Sequence, residues 1–342
     1  MRGLIIVITA IAVLSLAAAG FAAYRLQQQF DLPGPQVEMT RIRVAPGQSL
    51  RTVLQTLHAA GIIEHPRALE LWCRLRGDTE SFKVGNYDIP ARASPRAVLE
   101  QLRAGRVVLE TLTIIEGWSF AQMRAAIARH PKIRHTLKGA TDAELMKTLG
   151  HAGEHPEGRF FPDTYRFADG TTDREILGLA YSQMAELLAK SWAARDPAAP
   201  LQSPYEALIL ASIVEKESAL HTERPIIAGV YTSRLKIGMR LQSDPTVIYG
   251  LGEAYDGDIR TRDLRADTPY NTYTRAGLPP TPIALPGAGS VVAATRPNET
   301  GALFFVATGR PDGSHVFSKD YASHQRAVTR MLKLQRSAAS QR

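Results

Sequence analysis

Ser203-Pro204-Tyr205-Glu206-Ala207-Leu208-Ile209-Leu210-Ala211-Ser212-Ile213-Val214-Glu215-Lys216-Glu217-Ser218 is the stretch on which the fold turns. Ser203 with Glu206 three residues on reads as a capping box, and Pro204 takes the first helical position, where its missing N–H costs nothing. From Leu208 to Val214 the only polar side chain is Ser212. A helix that is apolar all round is buried in a core. The acids at its end therefore need a reason. At ~100° per residue Glu215 and Glu217 point to nearly opposite sides, so they do not form one carboxylate pair. Glu217 stacks over Ile213 and Val214, and Glu215 over Ala211 and Ser212. The more apolar surroundings of Glu217 disfavour its carboxylate and raise its pKa toward neutrality. A general acid at pH 7 needs that. Pattern alone also allows two ordinary helix-end charges, with Glu215 or Glu217 paired to Lys216 or Arg224.

Downstream, His221-Thr222-Glu223-Arg224-Pro225 leads into a helix with Ile227, Val230, Tyr231, Arg234 and Leu235, closed by Gly238. Arg240-Leu241-Gln242-Ser243-Asp244-Pro245-Thr246-Val247-Ile248-Tyr249-Gly250 follows, then Tyr270-Asn271-Thr272-Tyr273 and Gly277-Leu278-Pro279-Pro280. These loops mix amides, hydroxyls and aromatic rings. Rings stack on pyranose faces and amides read hydroxyl pairs, so the mix suits a sugar, and function concentrates on loops. Connecting loops are also rich in Pro, Asn and Tyr, so each segment alone decides little.

Upstream, the elements are shorter. Met39–Val44 reads as a strand, and Ser49 caps a helix carrying Leu50, Val53, Leu54 and Leu57, ended by Gly61. Pro66 opens a second helix, Gly85–Ile89 is a strand, and Ser94-Pro95 starts a helix that runs to Gly105. Val44-Ala45-Pro46-Gly47-Gln48-Ser49-Leu50 resembles Ile114-Ile115-Glu116-Gly117-Trp118-Ser119-Phe120, a weak internal repeat of strand, glycine turn, serine cap and helix. Thr172-Asp173-Arg174-Glu175 is a capping box before a longer helix. The fold class is α+β, with a small module ahead of a larger domain.

The 342 residues suit two domains and a short anchor. Near-average hydrophobic and charged fractions indicate a packed core. A net charge of +8 favours an anionic partner. Nucleic acid is excluded as that partner, because the basic residues are scattered and no helix carries a clustered stripe with interleaved aromatics. The same scatter reads equally as a solvated surface. The single cysteine, Cys73, lies in an apolar helical context and reads as a buried structural thiol. The histidines show no His-Glu-x-x-His pattern, and there is no phosphate-cradling glycine loop, so no metal and no cofactor is expected.

Gly3 to Ala23 carries no charge, and a helix of that length spans a hydrocarbon core of ~30 Å. Arg2 and Arg25 flank it almost evenly, so orientation rests on the short N-terminal stub staying inside. A cleaved signal peptide is the alternative, since Leu16-Ala17-Ala18-Ala19-Gly20 offers small residues. The apolar run continues past them, which favours an uncleaved anchor. Residues 26–40 read as a linker broken by proline and glycine.

Glu157-Gly158-Arg159-Phe160-Phe161-Pro162-Asp163-Thr164-Tyr165, Ala211–Glu217, Arg240–Gly250, Tyr270–Tyr273 with Gly277–Pro280, and His315-Val316-Phe317 with Ser323-His324 together resemble the MltG (YceG-like) family of endolytic murein transglycosylases, in order and over most of residues 40–330. The resemblance implies a stub and transmembrane anchor over 1–25, a linker over 26–40, a LysM-like module over 41–110 and a YceG-like catalytic domain over 111–335. It implies a single-pass inner-membrane protein with its catalytic part in the periplasm. Its action would be lytic cleavage of nascent peptidoglycan glycan strands between N-acetylmuramic acid and N-acetylglucosamine, leaving anhydro-muramoyl ends. It also implies association with glycan synthases, the penicillin-binding proteins. The family's catalytic glutamate falls on Glu217. Ser218 follows it where threonine is common.

Glycosidases ordinarily use two carboxylates, ~5–5.5 Å apart for retention or ~6.5–9.5 Å for inversion. A lytic transglycosylase manages with one, because the muramic acid's own six-position hydroxyl replaces water. Loop chemistry and the resemblance nominate Gln242, Asp244, Asn271 and Tyr273 as groove residues that orient acetamido groups. Glu157 and Asp163 are groove residues or cap and turn residues, the structural role being preferred for Asp163. Asp244-Pro245 would also serve as a plain helix cap. Two other functions stay open: a two-carboxylate peptidoglycan hydrolase using Glu217 with Asp244 or Glu215, and a non-enzymatic, membrane-anchored glycan-binding scaffold for synthases.

Overall fold

The computed structural model describes residues 2–77, 82–218 and 220–339, without the side chains at 2–8, 12, 19, 22, 23, 26 and 337–339. The chain divides into two units, Met1–Glu110 with Arg166–Gly170, and Thr111–Tyr165 with Thr171–Arg342. Each is mixed helix and small antiparallel sheet, as the α+β reading expects.

The first unit begins with α1 (Arg2–Gln29). Among the described residues no helix is long and apolar enough to cross a membrane. The anchor expectation on Gly3–Ala23 falls partly on side chains outside those described. Strand β1 (Thr40–Val44) is followed by α2 (Leu50–Ala59), α3 (Pro66–Leu75), β2 (Gly85–Ile89) and α4 (Pro95–Ala104). The caps are the ones the sequence names: Ser49 accepts from the Thr52 amide and Ser94 from the Ala97 amide. Gly105 ends α4 at φ +66°, a left-handed conformation that a side chain would strain. β1 and β2 pair antiparallel from Thr40–Ile89 to Val44–Gly85. Their alternate residues Ile42, Val44, Tyr87 and Ile89 face a core completed by Leu54, Leu57, Val98 and Leu102. Each such aliphatic side chain contributes about 1.5–3 kcal/mol on burial. Cys73 is buried in this core.

The chain leaves this unit along β3 (Leu109–Thr113), and Ser119 then caps α5 (Phe120–Arg129) in a full capping box with Gln122. The strand, the left-handed glycines Gly47 and Gly117, and the serine caps Ser49 and Ser119 repeat as expected. α6 (Asp142–Thr148) and β4 (Thr164–Ala168) follow, and β4 pairs with β3. Thr172 and Glu175 form the capping box of α7 (Asp173–Ala193).

α8 (Pro204–Glu217) is the centre of the second unit, and every residue from Ala207 to Val214 is buried. α9 (Arg224–Lys236), α10 (Asp244–Leu251), α12 (Ala288–Thr295) and α7 pack around it, with α11 (Thr261–Arg265) outside. The one polar residue inside, Ser212, donates to the Ile209 carbonyl and accepts from the Ile283 amide, so no polar atom of it is stranded. At the start of α8 the expected reciprocal box is half made. Ser203 accepts from the Glu206 amide, but the Glu206 carboxylate takes the Gln202 amide at 2.7 Å instead of that of Ser203. Strands β5 (Phe304–Ala307) and β6 (His315–Ser318) form an antiparallel hairpin, against which α13 (Tyr321–Ala339) lies.

Candidate active site

The two glutamates at the end of α8 part company as their spacing requires. Glu215 is sealed among α9 and α12: it binds Arg224 Nη2 at 2.8 Å and accepts the Gly287 amide at 2.9 Å and the Ser290 hydroxyl at 2.7 Å. Gly287 is the N-cap of α12, so the carboxylate sits at the positive end of that helix and takes the amide of its N-cap residue. That is a structural occupation, and it removes Glu215 from the second-carboxylate role. Glu116 reaches the same guanidinium at 3.3 Å.

Glu217 faces the other way, into a cleft of about 310 Å³ lined also by Arg234, Gln242, Asp244, Tyr273 and Phe304. Its Oε1 accepts two hydroxyl protons, from Tyr231 of α9 at 2.6 Å and from Ser243 at 2.6 Å. Oε2 has no partner among the described residues. Burial raises the pKa of this carboxyl above the ordinary range. The two hydroxyl bonds oppose that, the nearby negative Asp244 reinforces it, and His315 opposes it. Burial pushes the Tyr231 hydroxyl far up, so it stays a donor. With Oε1 engaged by two donors, the acid's proton belongs on Oε2, the oxygen left for a ligand.

Ser243 holds its place through a strained turn. Gln242, a non-glycine residue at φ +52°, sits in the left-handed region and lines the cleft. Its amide donates to the Thr272 carbonyl at 3.1 Å, and the Ser243 amide donates to the Thr272 hydroxyl at 3.0 Å. Ser243 occupies the N-cap position of α10, yet makes no capping bond, because its hydroxyl serves Glu217. Asp244 is the first helical residue and not the cap. Its carboxylate stays exposed and accepts the Tyr273 hydroxyl at 2.6 Å.

Among the residues singled out by sequence, Glu217, Gln242, Asp244 and Tyr273 converge on this cleft. Three do not. Asn271 is 1% exposed and cannot read an acetamido group. Its amide donates to the carbonyls of Asp263, Leu264 and Ala266, and its Oδ1 accepts the Tyr273 amide. It shapes the loop that grips Ser243. Asp163 lies at an exposed turn, accepting the Thr164 amide at 2.7 Å. Glu157 is a buried cap: it accepts the Phe120 amide at 2.9 Å and the Tyr249 hydroxyl at 3.2 Å. Tyr231, Ser243 and Arg234 were not nominated. Ser243 passes for a helix cap before Asp-Pro, and Tyr231 for one more residue on the packed face of its helix.

Burial pushes Glu157 up to about 7. Folding then binds a proton that the unfolded chain, with its acid near 4.5, has released. Stability from this group is full below that unfolded value and falls as pH rises toward 7, by about 3 kcal/mol over the window. Glu157→Gln removes the ionisation and keeps an acceptor for the Phe120 amide. Thermal melts from pH 4.5 to 7.5 should show wild type losing ground steadily to the variant. Parallel curves would contradict a proton held at Glu157.

Among the described residues no group of three or more His, Cys, Asp or Glu side chains could hold a metal ion. Residues 42–330 match the model of the YceG-like family. An endolytic murein transglycosylase of Bacillus subtilis (strain 168) is 29% identical over 308 residues, covering 85% of this chain and 84% of its own length. One of Streptococcus pneumoniae serotype 2 (strain D39) is 25% identical over 92% of this chain, which spans 62% of that protein's length. The crystal structure of a yceG-like protein from Listeria monocytogenes superposes with a TM-score of 0.54 at 27% identity, over 84% of this chain and 98% of that one.

Proposed function

The chain belongs to the YceG-like family, and from that premise we propose that it is an endolytic murein transglycosylase acting through Glu217 alone. The observation that carries this is the asymmetry of one carboxyl group: Oε1 is saturated by Tyr231 and Ser243, and Oε2 is left to the cleft. Protonated Oε2 donates to the glycosidic oxygen as the bond to the muramic acid anomeric carbon breaks. The carboxylate then takes the proton of the muramic acid six-position hydroxyl, whose oxygen closes the anhydro ring on that carbon. Proton out and proton in use the same oxygen, so neither hydroxyl donor need reorient between the steps, a preorganised electrostatic arrangement. Asp244, fixed by Tyr273, lends negative charge where the oxocarbenium ion develops.

A second reading has an observation of its own. Asp244 lines the same cleft with an exposed carboxylate, where it could activate water in a two-carboxylate hydrolysis. Mass analysis of products from uncrosslinked glycan separates the two. Anhydro-muramoyl ends, lighter by one water than reducing ends, are expected. Reducing ends alone would establish the hydrolase, and glycan retention without cleavage would establish a binding scaffold.

The finer placement rests on the sequence and on α1. Ile11, Val13, Leu14, Leu16 and Phe21 are exposed and, at ~100° per residue, lie on several sides of that helix, as lipid contact requires. Its 28 residues at ~1.5 Å each exceed a hydrocarbon core of ~30 Å. This supports an inner-membrane protein with a single N-terminal span and a periplasmic catalytic part. On the same reading residues 41–110 are a LysM-like module, a holder of N-acetyl sugars or a spacer, and the enzyme works beside glycan synthases, ending the strands they extend.

A further inference from the structure

A guanidinium is always charged in a protein, and a buried charge ordinarily has a counter-charge beside it. Arg234 is only 6% exposed, yet no carboxylate pairs with it among the described residues. Its Nε donates to the Leu303 carbonyl at 2.7 Å and its Nη1 to the Leu241 carbonyl at 2.6 Å. Nη2 has no partner among the described residues. Unlike Nε and Nη1 of Arg224, it is not sealed from solvent, and Arg234 borders the cleft that holds Glu217. The group cannot swing. Its plane lies over the Phe304 ring, 5.3 Å from the centroid, and His324 stacks on that ring at 5.3 Å. The Nδ1 of His324 is buried and has no hydrogen-bond partner among the described residues.

These two carbonyl dipoles, with the longer contact of Nη1 to the Arg240 carbonyl at 3.4 Å, compensate a full charge only in part. A rigid cation with one donor turned to a binding cleft is completed by an anion that arrives with the substrate. In the glycan read above, hydroxyls and acetamido groups are neutral. The anionic groups belong to the lactyl ether of muramic acid, as its own carboxylate or as those of the peptide attached there.

We infer that Arg234 is a carboxylate-binding subsite of the catalytic cleft, taking an acid on the lactyl-linked arm of the muramic acid being cleaved. This rests on the transglycosylase reading. It adds a register device: the arm distinguishes one of two alternating sugars, so docking it sets which glycosidic oxygen meets Glu217. Docking also neutralises a cation whose field opposes a proton on that acid.

The test uses the full chain in detergent and two substrates: uncrosslinked strands with free carboxylates, and the same strands with those carboxylates converted to methylamides. Wild type is expected to lose about tenfold to a hundredfold in kcat/KM on the amidated strands, the worth of one charge-assisted hydrogen bond. Arg234→Met should lose a similar factor on the free acid and become indifferent to amidation, while Arg234→Lys keeps part of the discrimination. Such non-additivity marks a direct contact, which a merely structural role would not produce. Affinity for both strands is measured as well, on the non-cleaving Glu217→Gln protein. A failure of the lytic reading therefore leaves the subsite judged on its own. Equal rates and equal affinities of the Arg234-bearing proteins for the two substrates would overturn the inference, and the wild-type comparison stands even if the Met variant does not fold.

Discussion

Glu217→Gln should abolish glycan cleavage, by at least the ~10²–10⁴ that a general acid contributes, while leaving the fold and glycan affinity in place. The amide is isosteric, and its carbonyl oxygen can still accept from Tyr231 and Ser243 at the Oε1 position. What is lost is the proton at Oε2 and the base that follows it. Burial without a counter-ion destabilises the charged form, so the variant should also be at least as stable as wild type near neutral pH. The sign follows from linkage. A carboxyl whose folded pKa is raised contributes full stability below its unfolded value and loses it as pH rises through the folded one. The same raised pKa sets the pH profile: cleavage needs the protonated form in the resting enzyme and must fall on the alkaline side of that pKa. Product mass spectra and melting curves together decide the matter. Retained cleavage in a folded Gln variant would remove Glu217 from the chemistry.

Local rules carried the sequence a long way. Ser49, Ser94, Ser119 and Thr172 cap the helices expected of them, because each bond closes within three residues and needs nothing from afar. The opposed directions of Glu215 and Glu217 follow from helical pitch alone, and the apolar run before them told which helix is central. The losses occur where a distant group outbids a local one. Glu206 bonds one residue beyond its expected partner. Ser243 gives up its cap for a carboxylate that belongs to another helix. Asn271, polar and in a loop, reads as a sugar reader, but its amide is consumed by three carbonyls at the end of α11. The positive φ of Gln242 has no local signal, since glycine is the residue that announces such a turn. It is seen only once Thr272 is placed against it.

Arg224→Met should cost about 3 kcal/mol, lowering the melting temperature by roughly 6–12 °C for a unit of this size. The pair it breaks is deep: Arg224 is 4% exposed, and both side chains of its bond to Glu215 are shut from water. Removing one partner of a buried pair strands the other's charge, at about 3–5 kcal/mol. The lower end applies here because Glu215 keeps the Gly287 amide, the Ser290 hydroxyl and the positive end of the α12 dipole. Arg224 itself is imperfectly satisfied, its Nε and Nη1 having no hydrogen-bond partner among the described residues, so its loss also relieves a desolvation cost. Glu215→Gln with Arg224→Met should therefore recover much of the stability, because the amide oxygen still accepts from the Gly287 amide and the Ser290 hydroxyl, and the acid left without the guanidinium, Glu116, is partly exposed to water. A double-mutant cycle read by chemical denaturation measures the coupling. Additive losses, or a single-variant cost below about 1 kcal/mol, would show the pair to be incidental. A strong coupling would make Glu215 the fastener that fixes the last turn of α8 to α12, and with it the direction in which Glu217, two residues on, presents its proton.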